Sequence, residues 1–222
     1  MKSPKADSPL VHPMLDEARD LIRIVDTAFN TKPVPLTEVA VRRPGAYLHL
    51  YTGDLDFLSR ARRPHGKAAT EPICAAGGAA LYIGSAKDLG ERQGRHIRNL
   101  LGVTELPASD LQVVCLETDS LSGAVYAEAC LISALGVPVL NCRWLSGMGS
   151  KAQGANRTGQ RVSAFNTLFP GRQHGCTRPA KLSRDELERR VVAHLAAAVP
   201  DVFTISCRPS TASPLRLVTR VV

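Results

Sequence analysis

The sequence predicts an α/β protein of the α+β kind, a small three-stranded sheet flanked by helices with additions at both ends. Three observations lead there. Gly45 to Tyr51 alternates with period two, and the apolar runs Leu81 to Gly84 and Leu111 to Leu116 have strand length. The segments after the second and third runs carry helix start and stop signals, giving the order strand, strand, helix, strand, helix. With 44% hydrophobic residues among 222, there is enough apolar material for a real core.

After a polar, proline-bearing leader, Leu15, Ala18, Ile22, Val25 and Phe29 recur at spacings of three and four, which predicts an amphipathic docking helix ended by Pro33 and Pro35. The first strand carries Tyr47, His49 and Tyr51 on one face. The span 60–79 mixes basic, proline and glycine residues without periodicity and reads as a surface loop able to touch a polyanion. Ser85 to Asp88 supplies a capping-box-like start for a helix running to about Leu101, with Arg92 and His96 four apart on one face.

Ser120 is expected to cap a helix from Leu121 to Leu135 that carries Glu128 and ends at Gly136 and Pro138. The segment from Leu145 to Pro170 is rich in Gly, Ser, Asn, Gln, Lys and Arg, too polar for a core and too basic for an idle linker. Ser183 and Glu186 form a second capping box before a closing helix through Leu187, Val191 and Leu195, and Phe203 to Val222 is expected to return as strands.

A net charge of +8, from 28 Lys and Arg against 20 Asp and Glu, implies a polyanionic partner, either nucleic acid or an anionic membrane surface. No run approaches the roughly 20 apolar residues a spanning helix needs, and the opening residues lack an apolar signal core, so a cytoplasmic protein is expected. The six cysteines form no C-x-x-C pair and read as reduced core residues, which argues against a zinc site.

Taken singly, each chemical residue has an ordinary explanation. Tyr47 and Tyr82 suit strand aromatics with a hydroxyl at the rim, Arg92 a solvated helix residue, His96 a surface histidine and Asn141 a turn residue. Glu128 is the sharper case: Val125, Ala129, Leu131 and Ile132 around it are apolar, so a lone carboxylate among them either faces water or holds a metal. His49 faces the same way as Tyr47 but is left outside the catalytic set.

Taken together, Gly45-x-Tyr47, Tyr82-Ile83-Gly84, Arg92-x-x-x-His96, Glu128 in a helix and Asn141 shortly after it resemble, in full order, the pattern of the GIY-YIG nucleases over roughly residues 44–142. The contexts GAYLHLYTG, LYIGSAKDLGERQGRH, DSLSGAVYAEACLISAL and GMGSKAQGANR look like the type II restriction branch that cuts CCGCGG, not the homing or excision-repair branches. The long gap from Tyr47 to Tyr82 departs from the simplest layout and implies an insertion between the first two strands.

The resemblance implies roles. Glu128 would bind one divalent cation, Mg²⁺, as a hard oxygen ligand, and Arg92 would hold the scissile phosphate. Tyr47 would orient the attacking water and, with His96, accept its proton; Tyr82 would donate to phosphate or water, and Asn141 would fix the loop near the metal helix. It also implies three parts: an N-terminal helical extension (1–43), a nuclease core (44–142) and a C-terminal extension for DNA recognition and dimer support (143–222) packed with the core. Ser150, Lys151, Asn156, Arg157, Arg161 and Arg172 are the expected DNA contacts. The implied protein is a homodimer cutting a GC-rich palindrome in double-stranded DNA, with a methyltransferase expected in the host. A nicking or repair nuclease, or a catalytically silent DNA-binding relative, are the alternatives.

Overall fold

Strand β2 (Gly45–Tyr51) is buried at every position, because it lies inside a sheet covered on both faces. The computed structural model describes residues 13–55, 79–148 and 159–197. Around β2 these form α1 (Pro13–Asn30), β1 (Val34–Pro35), β3 (Ala79–Ala86), α2 (Leu89–Leu100), β4 (Leu111–Glu117), α3 (Leu121–Leu135), the short α4 (Ala164–Leu168) and α5 (Arg184–Ala197). The loop expected over 60–79 lies outside the described residues except at Ala79, and the returning strands expected after Phe203 lie outside them entirely.

The sheet is antiparallel with order β1-β4-β2-β3, so the fold is α+β with four strands where the sequence predicts three. The additional strand is β1, in which Val34 pairs with Val113 and Pro35 with Gln112. A proline lacks the N–H a central ladder needs, so Pro35 both ends the helical path and suits an edge strand. Sequence reading used only the first property.

Period-two alternation divides β2 between two cores. Ala46, Leu48 and Leu50 face Ile24 and Ala28 of α1 and Ala127, Cys130 and Leu131 of α3. Tyr47 and Tyr51 face the opposite way, among Leu89 and Leu100 of α2 and Phe165, Phe169 and Leu187 further along the chain. The register between β2 and β3 slips after His49, which pairs with Tyr82 while Leu50 pairs with Ala80. Leu81 is the extra residue, and the bulge sends both Leu81 and Tyr82 to the tyrosine side.

Helix α2 is capped by Asp88, whose Oδ1 accepts from Glu91 N at 2.7 Å, and not by Ser85. The reason is that β3 continues through Ala86, paired with Gly45, so Ser85 is still strand. Helix α3 starts as expected, Ser120 Oγ accepting from Gly123 N at 3.1 Å, and stops at Gly136 with φ 76°. Ser183 likewise accepts from Glu186 N at 3.2 Å ahead of α5.

The segment from Leu145 to Pro170 is not uniformly too polar for a core. Leu145, Met148, Phe165, Leu168 and Phe169 are buried in the same cluster as Tyr47. Ser163 Oγ accepts from Asn166 N at 3.2 Å and starts a short helix that turns the two phenylalanines inward, their rings 5.1 Å apart. Among the described cysteines, all free thiols, Cys130 is buried while Cys115, Cys142 and Cys176 are half-buried; Cys74 and Cys207 lie outside the described residues. No helix among the described residues is long and apolar enough to cross a membrane.

If the C-terminal segment is part of one cooperative core, Phe165→Ala should destabilise the protein by about 3–5 kcal/mol in urea unfolding. A loss under about 1 kcal/mol would mean that α4 docks without supporting the sheet.

Candidate active site

Tyr47 on β2 and Tyr82 on β3 bring their ring centroids to 5.9 Å. Gly84 stands opposite Tyr47 in the ladder, and a Cβ there would lie 2.5 Å from Tyr47 Oη and 3.0 Å from Tyr82 Cε1. Glycine at this position is what lets the Tyr47 phenol lie across the neighbouring strand. Gly45 is constrained in the same way, since its Cβ would meet the Leu116 carbonyl oxygen and the Leu89 side chain. Both glycines beside the tyrosines thus serve close packing.

Helix α2 presents Leu89, Gln93, His96 and Leu100 as its buried stripe, with Arg92 half-buried beside it. Tyr47 Oη lies 2.8 Å from His96 Nε2 and accepts from Arg92 Nε at 3.0 Å. His96 is therefore a core residue and not a surface one. Behind this pair, His49 Nε2 lies 2.7 Å from Gln93 Oε1, and the His49 ring meets His96 edge-on at 4.8 Å.

On the other side of β3, Ser85 Oγ donates to Glu128 Oε2 at 2.5 Å, so the α3 carboxylate is held at the strand's end. Glu128 is half-buried, and its helix neighbours Val125 and Ala129 are exposed. The carboxylate sits at a boundary between core and cleft instead of among buried apolar groups. Asn141 accepts from Ile83 N at 2.8 Å and donates to Ile83 O at 2.7 Å, occupying both peptide groups of the edge strand between Tyr82 and Gly84.

Tyr82, Arg92 and Glu128 open onto one cleft of about 350 Å³, while Tyr47 and His96 lie buried beyond its wall and are joined to it through Arg92. Its walls are Tyr82, Gly84 and Ser85 of β3, Lys87 and Asp88 beyond it, Glu91, Arg92 and Arg95 of α2, and Leu121 and Glu128 of α3. Arg95 is paired with Glu91. The cleft thus carries three basic groups, Lys87, Arg92 and Arg95, against three carboxylates, Asp88, Glu91 and Glu128, of which α3 contributes the last.

Burial pushes the Tyr47 phenol well above its ordinary range, and the neighbouring Tyr82 adds to this against the pull of Arg92. It keeps its proton. Burial drives His96 down to about 2, helped by His49 and Arg92, and His49 down to about 4. Burial opposes the Arg92 charge, but the phenols of Tyr47 and Tyr82 more than offset it, so Arg92 holds its proton more firmly than usual. At neutral pH the cluster is a neutral phenol between a fixed cation and a neutral imidazole.

The structure brings Tyr47, Arg92 and His96 into hydrogen-bond contact, sets Tyr82 beside them, and puts Glu128 on the same cleft. Asn141 stays behind β3 as a strand clamp. Ser150, Lys151, Asn156 and Arg157 lie outside the described residues. Arg161 is exposed, its Nη1 donating to Pro179 O at 3.3 Å. Arg172 is built into the fold: it donates to Gly147 O at 3.1 Å and Asn99 O at 3.5 Å, with its guanidinium carbon 5.2 Å from the Phe165 ring centre.

Sequence reasoning passed over Ser85, Gln93 and Lys87, and set His49 aside. The spacing 89, 93, 96, 100 would have put Gln93 on the buried stripe of α2; nothing local marks Ser85. Among the described residues, no three His, Cys, Asp or Glu side chains are grouped to hold a metal. A single carboxylate such as Glu128 suits a hard divalent cation such as Mg²⁺ only where water and phosphate complete the shell. No protein-family model matches the chain, and no curated protein matches it either.

The two buried histidines make stability pH-dependent. Their folded values, about 4 and about 2, lie below the ordinary 6.5, so the unfolded chain takes up protons that the folded chain refuses. Stability should be full above pH ~6.5 and fall with a slope approaching about 1.4 kcal/mol per pH unit for each histidine as pH drops toward 4. Urea unfolding at pH 7, 6 and 5 measures this, and a flat profile would show that the rings are charged or exposed.

Proposed function

We propose that this protein is a Mg²⁺-dependent endonuclease of the GIY-YIG kind that hydrolyses phosphodiester bonds in double-stranded DNA. The observation that carries the reading is the Tyr47 hydroxyl held between His96 and Arg92, with Arg92 and Glu128 both lining one cleft. A phosphodiester carries one negative charge, and its in-line displacement needs a positioned water, a proton acceptor, a cation on the phosphate and relief for the leaving oxygen. Arg92, Tyr82 and Glu128 in the cleft, and Tyr47 with His96 directly behind Arg92, are the candidate groups for these needs.

In this reading the water attacks phosphorus as its proton passes to Tyr47 Oη, while the phenol's own proton moves to His96 Nε2. The new P–O bond forms as the bond to the leaving sugar oxygen breaks. Arg92 uses Nε to hold Tyr47 and turns its remaining N–H groups toward the phosphate oxygens. Burial is the main cause of the low His96 value and His49 the next, so a bound phosphate would offset only the smaller part that Arg92 contributes. Tyr82 would donate to the phosphate, and Ser85 would hold one oxygen of Glu128 so that the other meets the ion. When bound, Mg²⁺ supplies charge relief for the leaving oxygen.

The finer reading is a type II restriction endonuclease working as a homodimer on a GC-rich palindrome, with CCGCGG as the first site to try. The net charge of +8 supports a polyanionic partner, and arginines suit guanine-rich sites because each can donate twice to N7 and O6. A two-fold symmetric protein would cut both strands of a symmetric site.

Purified protein with plasmid DNA and Mg²⁺ should give discrete double-strand fragments that EDTA abolishes. Nicks alone would favour a nicking or repair nuclease, and no cleavage a silent DNA-binding protein. Glu128→Ala should lower the cleavage rate at least about a thousandfold while gel-shift affinity for DNA stays within a few-fold. Cleavage that persists in this variant would refute the metal assignment.

A further inference from the structure

His49 and Gln93 are fully buried polar side chains, 0% and 1% exposed, that the proposed chemistry leaves unused. Their bond is directional: Gln93 Oε1 only accepts, so His49 Nε2 carries the hydrogen and Nδ1 carries the lone pair. An apolar pair of similar shape would satisfy the core as well, because replacing both partners of a buried hydrogen bond is close to neutral. Stability alone does not account for the pair.

The His49 ring lies edge-on to His96, 4.8 Å between centroids at 82°, and also packs on Tyr47 at 5.1 Å and Tyr82 at 5.7 Å. His96 Nδ1 is buried with no hydrogen-bond partner among the described residues. In many sites that second nitrogen is tied to a carboxylate or carbonyl that fixes the ring. Here that nitrogen has no such tie, so the ring is fixed by its Nε2 bond with Tyr47 and by contact, and among the aromatic rings that pack on His96, His49 has the shortest centroid distance. The chargeable groups facing His49 are Tyr47 on its own strand, Tyr82 on β3, and Arg92 and His96 on α2; from β4 it meets the Val113 register position.

We propose that His49, anchored by Gln93, is a positioning residue that sets the plane of the His96 ring and so aims His96 Nε2 at the Tyr47 hydroxyl. This rests on the nuclease reading above for its consequence, and on the geometry of the cluster for its premise. A charged His49 would set a second cation beside the imidazolium that forms on His96. Gln93, as a neutral acceptor, is the partner that holds His49 without charging it.

The test uses two full-length variants. His49→Phe with Gln93→Leu removes the pair without leaving an orphan; the melting temperature should stay near wild type while kcat falls about 10- to 100-fold and KM for DNA changes less than about threefold. Gln93→Glu gives His49 an anionic partner, which should raise its titration toward neutral pH and add a new acid limb to the kcat–pH profile with DNA affinity unchanged. A double variant with wild-type kcat and pH profile overturns the proposal, as does a Gln93→Glu profile identical to wild type while ¹⁵N histidine NMR shows His49 charged. If the double variant does not fold, the Gln93→Glu profile decides alone. If wild-type protein cuts no DNA, the nuclease reading falls separately, and the His96 ring ¹⁵N shifts in either folded variant still decide the premise: unchanged shifts refute it.

Discussion

The hydroxyl of Tyr47 accepts from a guanidinium and pairs with an imidazole inside the core, and most of the local architecture follows from the need to keep that oxygen partnered. A buried phenol without hydrogen bonds is costly, and a half-buried arginine without an acceptor is costlier. Both are satisfied only if α2 packs on the tyrosine face of the sheet in one register, with Leu89 and Leu100 as apolar ends and Gln93 and His96 between them. Glycine at position 84 is required for the same reason, since any side chain there would displace the ring.

The sheet serves this arrangement because it is covered on both sides. Helices α1 and α3 pack on the Ala46, Leu48 and Leu50 face, which frees the other face for a polar cluster backed by α2 and the C-terminal aromatics. Helix α3 belongs to the first layer, yet Glu128 reaches the cleft around the end of β3 through Ser85. Asn141 holds the same edge strand by its peptide groups at Ile83, so Tyr82, Gly84 and Ser85 are braced from one side. The cleft is therefore framed by rigid elements, the condition under which a few ångströms of precision can be maintained.

Electrostatically the cluster is poised rather than charged. Tyr47 and the two histidines are neutral at pH 7, and the fixed cation Arg92 lies against them with a carboxylate across the cleft. In the proposed nuclease an arriving anion would meet the cation first and offset the part of the His96 depression that Arg92 contributes, the larger part being burial.

Much of this was legible in the chain. Period two along Gly45–Tyr51 gave the tyrosine face and Ser120 and Gly136 bounded α3, because alternation, capping and backbone freedom are local properties, while the residues from Tyr47 to Asn141 were picked out by their resemblance to a nuclease pattern. Tertiary structure alone decided that Pro35 adds an edge strand, that Leu81 bulges, that phenylalanines in a polar-looking segment complete the core, that Arg172 is tied into the fold, and that His49 and Gln93 stand behind His96. Each depends on which element arrives opposite a given residue across long sequence separation, and composition and spacing carry no record of that meeting.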